Sequence, residues 1–322
     1  KQKFIKKKIK VFHDHLKIKK IIKKKNDYTM CSISGLSGLK PTLEAIKYSK
    51  TVGIANKESI ICSWNIIKKE LKKNKTNFIP IDSEHFSIWS LINNVNKASI
   101  EEIILTASGG PFLNKTTKSL KNINPKDAIK HPNWSMGKKI SIDSTNLMNK
   151  VFEVIEAQRI FNIDKKKFRI LIHPKSYVHA IIKFNNGLVK FLAHDTHMKI
   201  PIFNSIYFNK NKKIHSKPLN IKVLNNLELS KPNINQFPVL NILKMIPDKI
   251  SLFETVLVSA NDELVNFYLE GKIKYTDIYE NLIKIIKMKV FKQYLNISPK
   301  NIDQISKLMK EVRLKCKDLC II

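Results

Sequence analysis

From Tyr28 onward the apolar positions recur with two periods that alternate along the chain. TMCSIS (29–34) reads as a short strand, GLSG as a turn, and PTLEAIKYSK (41–50) as a helix with Pro41 near its first turn. TVGIAN (51–56) predicts a strand, ESIICSWNIIKKELKK (58–73) a helix and TNFIPI (76–81) another strand. The order β-α-β-α-β is the signature of a parallel sheet covered by helices. A short helix at about 84–94 and the strand EEIILTAS follow, and SGGPF then opens a long irregular stretch that ends near Lys138. A loop of that length inside a compact domain commonly serves as a lid.

KKISIDS (138–144) alternates and predicts a strand, with a helix running from about Thr145 to Phe161. FRILIHP, VHAIIKF and GLVKFLAH predict strands, and the last two flank Asn185-Asn186-Gly187, a hairpin signal. Residues 209–238 are rich in Lys, Asn and Pro and read as a linker, beyond which the period is helical to the end, as in a small bundle. The fold class expected is α/β: a partial doubly wound, Rossmann-like parallel sheet, an α+β catalytic domain and a C-terminal helical bundle. Residues 1–27 hold most of their charge as lysine and read either as an amphipathic helix or as an ill-defined segment.

Composition narrows the function. A chain of 322 residues that is 43% hydrophobic can bury a real core in two or three domains. The formal net charge of +33 suggests a nucleic-acid partner, yet only Arg159, Arg169 and Arg313 among 59 basic residues are arginine. Nucleic-acid surfaces use arginine for bidentate phosphate and guanine contacts, and here the lysines are spread along the chain amid Ile and Asn. That pattern reads as compositional bias, and no nucleic-acid partner is expected. The basic field would still attract phosphorylated substrates. Every apolar run is interrupted well short of ~18–20 residues, so no membrane span is expected. The first 25 residues show no secretory signal, and four cysteines without a CxxC pair suit a reducing compartment.

The chemistry starts at PIDSEH (80–85). Asp82 and Glu84 stand one residue apart after an apolar run, and in an extended segment they would share a face roughly 6–7 Å apart. Two such charges repel by about 2.5 kcal/mol at an effective dielectric near 20, so they call for a cation or water. Asn149, Glu153, Glu156 and Ala157 fall at helical spacing further on, with Lys150 beside them, and can supply a third carboxylate. Carboxylate oxygens suit a hard divalent ion such as Mg²⁺ or Mn²⁺. Ser108-Gly109-Gly110 after a strand can cradle an anion with backbone N–H groups, and Ser144, placed at a strand-to-helix junction, can cap a helix and meet a phosphate. Trp134 lies in a Pro/Gly-containing loop, where packing and covering a ligand are both open to it.

Together the segments ANKES (55–59), PIDSEH, TASGGPF (106–112), HPNWSMGKKIS-DS (131–144), MNK--E-IEA (148–157) and HP-S--H (173–179) resemble the 1-deoxy-D-xylulose 5-phosphate reductoisomerase family. The resemblance runs from about Gly35 to the C-terminus, dense to Pro201 and thinner through 259–278. It implies NADPH-dependent rearrangement and reduction of 1-deoxy-D-xylulose 5-phosphate to 2-C-methyl-D-erythritol 4-phosphate, in the methylerythritol phosphate route to isoprenoid precursors. It also implies one Mg²⁺ or Mn²⁺ held by Asp82, Glu84 and Glu153. Ser83 and Lys57 match residues at the substrate's oxygen-bearing carbons. Ser108, Ser144, Asn149 and Lys150 match the phosphate pocket, with His131 at its edge and Trp134 in the lid. Asn56, Glu58, Met136 and Met198 match positions near the nicotinamide half of NADPH. A homodimer in a bacterial-type cytoplasm is implied, or alternatively a plastid-like organelle.

The implied organisation is a remnant of an NADPH-binding Rossmann-like domain over 1–81 and a catalytic and connective domain over 82–208 with its lid at 108–138. A linker at 209–238 leads to a helical domain at 239–322. Departures from the family pattern are specific. No glycine occurs before Gly35, so the glycine-rich cofactor turn is absent from residues 1–27, and the chain opens on Lys rather than Met. This fits a fragment lacking the first βα units, with an upstream segment supplying the turn or with weak NADPH binding. Val151 stands where the family has glycine, and His194 and Asp195 replace the usual glycine and acid. The competing readings are a non-catalytic homologue that keeps the metal and phosphosugar pocket, and a lysine-rich nucleic-acid binder built on the same scaffold.

Overall fold

Two sheets share one buried helix. The structure, a computed structural model, describes residues 18–208 and 210–320. The first sheet is built from β1 (Asn26–Cys31), α1 (Leu39–Lys47), β2 (Ser49–Ile54), α2 (Lys57–Asn74) and β3 (Asn77–Pro80). Its strands pair parallel in the order β1-β2-β3, with Val52 opposite both Thr29 and Phe78. Then come α3 (Ser83–Leu91), β4 (Ile100–Ala107), α4 (Lys138–Thr145), α5 (Met148–Phe161), β5 (Phe168–Ile172), β6 (Val178–Phe184), β7 (Val189–Ala193) and α6 (Lys199–Ile206). The second sheet runs β5-β4-β6-β7, with β4 parallel to β5 and antiparallel to β6. Helices α7 (Phe253–Leu269), α8 (Tyr275–Ile286) and α9 (Ile302–Cys320) form the C-terminal layer.

Helix α5 is buried on nearly every side. Met148, Val151, Phe152 and Ile155 join the large core of α1, α2, α7, α8 and α9, whereas Val154, Ala157 and Phe161 join the core beneath the second sheet. Each fully buried side chain of this size contributes about 1.5–3 kcal/mol relative to exposure. Because both faces pack, the polar residues of α5 have no solvent to turn to: Glu153, Glu156 and Arg159 are all buried. A charge enclosed in this way requires a partner.

The observed elements agree with the α/β class, and the Asn185-Asn186-Gly187 signal does close the β6–β7 hairpin, with Gly187 at φ +84°. Three readings are corrected. KKISIDS is helix α4, not a strand: Lys139 and Asp143 meet at 3.1 Å, a distance that residues four apart reach on a helix and cannot reach when extended. Ser144 therefore sits in the last turn of α4, not at a helix N-cap. Asp82 and Glu84 are not extended either, because β3 ends at Pro80 and Asp82 caps α3, accepting the Glu84 N–H at 3.1 Å. The alternative readings offered for residues 1–27 lie, as far as residue 17, outside the described residues.

Candidate active site

The capping role of Asp82 directs one carboxylate oxygen to its own helix and leaves Oδ2 for Lys57, 3.1 Å away. Lys57 is the first residue of α2. Asn56 sets that start by accepting the Ser59 N–H at 2.6 Å, while its amide donates to the carbonyls of Gly35, at 2.7 Å, and Ile33. The Lys57 ammonium also donates to Asn149 Oδ1 at 2.7 Å and lies 3.5 Å from Glu153 Oε1. Lys150 bridges Glu84 Oε1 at 2.7 Å and Glu153 Oε2 at 2.6 Å. Ser83 donates to Glu84 Oε2 at 2.5 Å, and Asn149 donates to Glu153 Oε1 at 2.5 Å.

One ligand atom each from Asp82, Glu84 and Glu153 lies within 4.8 Å of the other two. Glu153 Oε2 is buried and, although close to Lys150, makes no well-directed hydrogen bond, so a lone pair stays open. Burial and the neighbouring Glu84 push the Glu153 carboxyl up to about 7. Burial works in the same sense on Asp82 and Glu84 but is outweighed, by Lys57 and His85 for the first and by Lys150 for the second, so both are held below the usual carboxylate range. Three hard oxygen donors with an unfilled lone pair, held together against their own repulsion, fit a divalent cation such as Mg²⁺ or Mn²⁺.

These groups line a cavity of about 230 Å³ together with Ser83, Ser108, His131, Trp134, Met136, Ser144 and Met198. His131 accepts two backbone N–H groups at Nδ1, from Asn133 at 3.2 Å and Trp134 at 3.0 Å, so its proton resides on Nε2 and is donated to Ser108 Oγ at 2.9 Å. Burial and Lys150 hold His131 down at about 4, consistent with a neutral ring. The expected anion cradle differs in detail, because the Gly110 N–H donates to Ser108 Oγ at 3.1 Å. Gly110, at φ +68°, instead allows a close backbone approach, since a Cβ there would stand 2.9 Å from Thr145 Cα. Asn56 and Glu58 line an adjoining pocket with Lys57 and Lys139, and Glu58 pairs with Lys139 at 2.9 Å.

Sequence reasoning left out several residues that shape the site. His85, beside Glu84, donates from Nε2 to the Glu153 carbonyl at 2.9 Å and places Nδ1 3.1 Å from Asp82 and 3.5 Å from Glu156. Burial opposes its charge, but Glu156, Asp82 and Glu153 outweigh it and raise the ring to about 9. His179 lines the cavity, stacks on His194 with ring centroids 3.8 Å apart and meets the Trp134 edge at 5.9 Å. The paired motifs PIDSEH and HP-S--H carried these histidines, but nothing in their spacing revealed the partners.

Burial, with His194 alongside, lowers His179 to about 4. The unfolded chain then binds more protons than the folded one between about pH 6.5 and 4, so this stabilisation is complete above pH 6.5 and is lost as the pH falls through 4. Between pH 7 and 4.5 the parent should lose about 2 kcal/mol more stability than His179→Asn, as read by urea unfolding. Equal pH slopes for the two proteins would refute this assignment.

Asp82 and Glu84 after the parallel sheet, Glu153 from α5 and a pocket bearing Lys57 and Lys150 have the make-up of a metal-dependent enzyme acting on an anionic substrate. Family models make the match specific: 1-deoxy-D-xylulose 5-phosphate reductoisomerase matches residues 1–63, its C-terminal domain matches 78–161, and the DXP reductoisomerase C-terminal domain matches 194–315. The chain belongs to the 1-deoxy-D-xylulose 5-phosphate reductoisomerase family. It is 58% identical over 316 residues to the Pelagibacter ubique reductoisomerase, covering 98% of this chain and 81% of that relative. The Sulfurihydrogenibium sp. enzyme is 39% identical over 261 residues, covering 81% of this chain and 68% of its own length. Among solved structures, a DOX-P reductoisomerase in complex with NADPH, fosmidomycin and magnesium superposes with a TM-score of 0.87 at 30% identity, over 95% of this chain and 78% of that one. The Zymomonas mobilis reductoisomerase in complex with NADPH gives 0.81 at 30% identity, over 92% and 75%.

Proposed function

We infer that the protein catalyses the NADPH-dependent rearrangement and reduction of 1-deoxy-D-xylulose 5-phosphate to 2-C-methyl-D-erythritol 4-phosphate, a step of isoprenoid precursor biosynthesis. The observation that carries this reading is the convergence of Asp82, Glu84 and Glu153 beside a lysine-lined cavity in a chain of this family. The non-catalytic alternative is not favoured, since the carboxylates and both lysines are in place. The nucleic-acid reading rests on the net charge alone.

Asp82, Glu84 and Glu153 would hold the Mg²⁺ or Mn²⁺, which when bound supplies Lewis acidity to adjacent hydroxyl and carbonyl oxygens of the substrate. NADPH, when bound, would supply hydride-donor chemistry. Lys57, fixed at the start of α2, would place positive charge where an alkoxide develops, and Ser83 offers a hydroxyl on the same cavity. Asn149 and Lys150 are engaged with Lys57 and the carboxylates; a cation on those carboxylates would leave their donors for the substrate phosphate, alongside Ser108, Ser144 and His131. Within the 108–138 lid segment, Ser108 and the stretch from His131 to Met136 reach the cavity, and Trp134 would cover it to exclude water. Met136 and Met198 offer apolar contact on the same cavity, with Asn56 and Glu58 on the adjoining pocket, for the nicotinamide half of the cofactor.

The organisation proposed is the Rossmann-like part over 1–81, the catalytic part over 82–208, the linker over 209–238 and the helical part over 239–322. A homodimer is supported by the edge strand β7 and the residue before it, where Val189, Phe191 and Leu188 are about half exposed. Among the described residues no helix is long and apolar enough to cross a membrane. Cys31, Cys62, Cys316 and Cys320 are free thiols, which suits a reducing compartment such as a bacterial cytoplasm or a plastid-like organelle.

Turnover is tested by following NADPH consumption by the natural full-length chain with deoxyxylulose phosphate, with Mn²⁺ and then with a chelator. Consumption that requires the metal is expected. No consumption in the presence of metal would overturn the reading.

A further inference from the structure

Outside the carboxylate trio, one lysine gathers three acids from three elements. Lys139 Nζ lies 2.9 Å from Glu58 on α2, 3.1 Å from Asp143 on α4 and 2.9 Å from Asp262 on α7. It also stands 5.2 Å from the centre of the Phe152 ring on α5. The other oxygen of Asp143 accepts from the Asn261 amide of α7 at 2.8 Å, and Thr145 at the end of α4 shares a 2.8 Å hydrogen bond with Tyr275 of α8. The C-terminal layer thus grips α4 along its whole length.

Helix α4 carries Ile140 and Ser144 into the cavity, and Glu58 follows Lys57 directly. Three carboxylates around one ammonium leave a net charge of −2, largely buried. Apolar packing would give equal or better cohesion at such a contact. A multi-way ion pair instead fixes one geometry, here the separation between the phosphate-side helix and the lysine-bearing end of α2.

We propose that Lys139, Asp143 and Asp262 are positioning residues by which the C-terminal helical layer sets the phosphate pocket against Lys57. The inference rests on the reductoisomerase reading and extends it to residues that need not touch the substrate. Asp262 belongs to α7 and does not line the cavity.

The test uses the sign of a charge effect. Asp262→Ala removes a negative charge, so electrostatics alone would tighten anion binding, whereas loss of positioning weakens it. In the natural full-length chain, calorimetry with inorganic phosphate is expected to show binding about 10-fold weaker in D262A, with kcat/KM for deoxyxylulose phosphate falling about 10- to 100-fold. Unchanged or tighter phosphate binding would overturn the proposal. Should D262A fail to fold, D262N carries the same sign test, with the same two outcomes. Absence of phosphate binding by the parent would overturn both this proposal and the pocket assignment. Phosphate binding without turnover would refute the enzymatic reading alone.

Discussion

Glu153→Gln is expected to abolish metal-dependent turnover, by about 10³-fold or more, with the fold retained. The argument is geometric. Glu153 lies on a helix buried on both faces and meets Asp82 and Glu84, which come from the first turn of α3, within ligand-sharing distance. Glutamine keeps the length of the side chain and an oxygen to accept from Asn149, but surrenders the charge and one oxygen donor. A hard cation then loses a ligand, and with it the polarisation of substrate oxygens that contributes several kcal/mol to the transition state. Steady-state rates over a Mn²⁺ titration, with Mn²⁺ affinity measured separately, decide the matter. Parent-like rates and affinity in the variant would remove Glu153 from the site.

The second large effect is on stability. Arg159→Met is expected to cost about 3–5 kcal/mol in urea unfolding. Arg159 is buried on α5 and contacts Glu254 Oε1 at 2.5 Å, the Asp248 carbonyl at 2.5 Å and the Pro247 carbonyl at 2.9 Å. Glu254 is fully buried, and its other oxygen accepts from the Ser251 N–H at 3.0 Å and the Ser251 hydroxyl at 2.6 Å. Burial already raises the Glu254 carboxyl above its ordinary range despite the guanidinium, so removing the arginine leaves a carboxylate with no charge partner. The double variant Arg159→Met, Glu254→Gln should recover part of the loss, because breaking a buried pair costs more than replacing both partners. A single variant within about 1 kcal/mol of the parent would show that the pair is dispensable.

Much of this molecule is written locally. The alternation of short strands and helices between Tyr28 and Ile81, the turn at Asn185-Asn186-Gly187 and the helical C-terminal third follow from side-chain period and turn chemistry, which need no distant partner. The metal-ligand candidates were legible for a different reason: carboxylates adjacent in sequence repel and so signal a cation. Their actual arrangement was not legible. Asp82 and Glu84 come together at a helix cap, not along a strand, because Pro80 ends β3 and the side chain of Asp82 satisfies the Glu84 N–H.

Where the sequence alone fell short, a buried charge was waiting for a partner far along the chain. KKISIDS reads as a strand until Lys139 finds Asp262, and nothing near Arg159 in the chain names Glu254 as its partner. Likewise nothing in PIDSEH shows that His85 hydrogen-bonds the Glu153 carbonyl. Chain-local pattern determined most of the elements and the class of the fold, and it marked Asp82 and Glu84 as candidate ligands. Only tertiary structure decided which charges are enclosed and with whom, since the energy of an enclosed charge depends on neighbours that packing alone brings near.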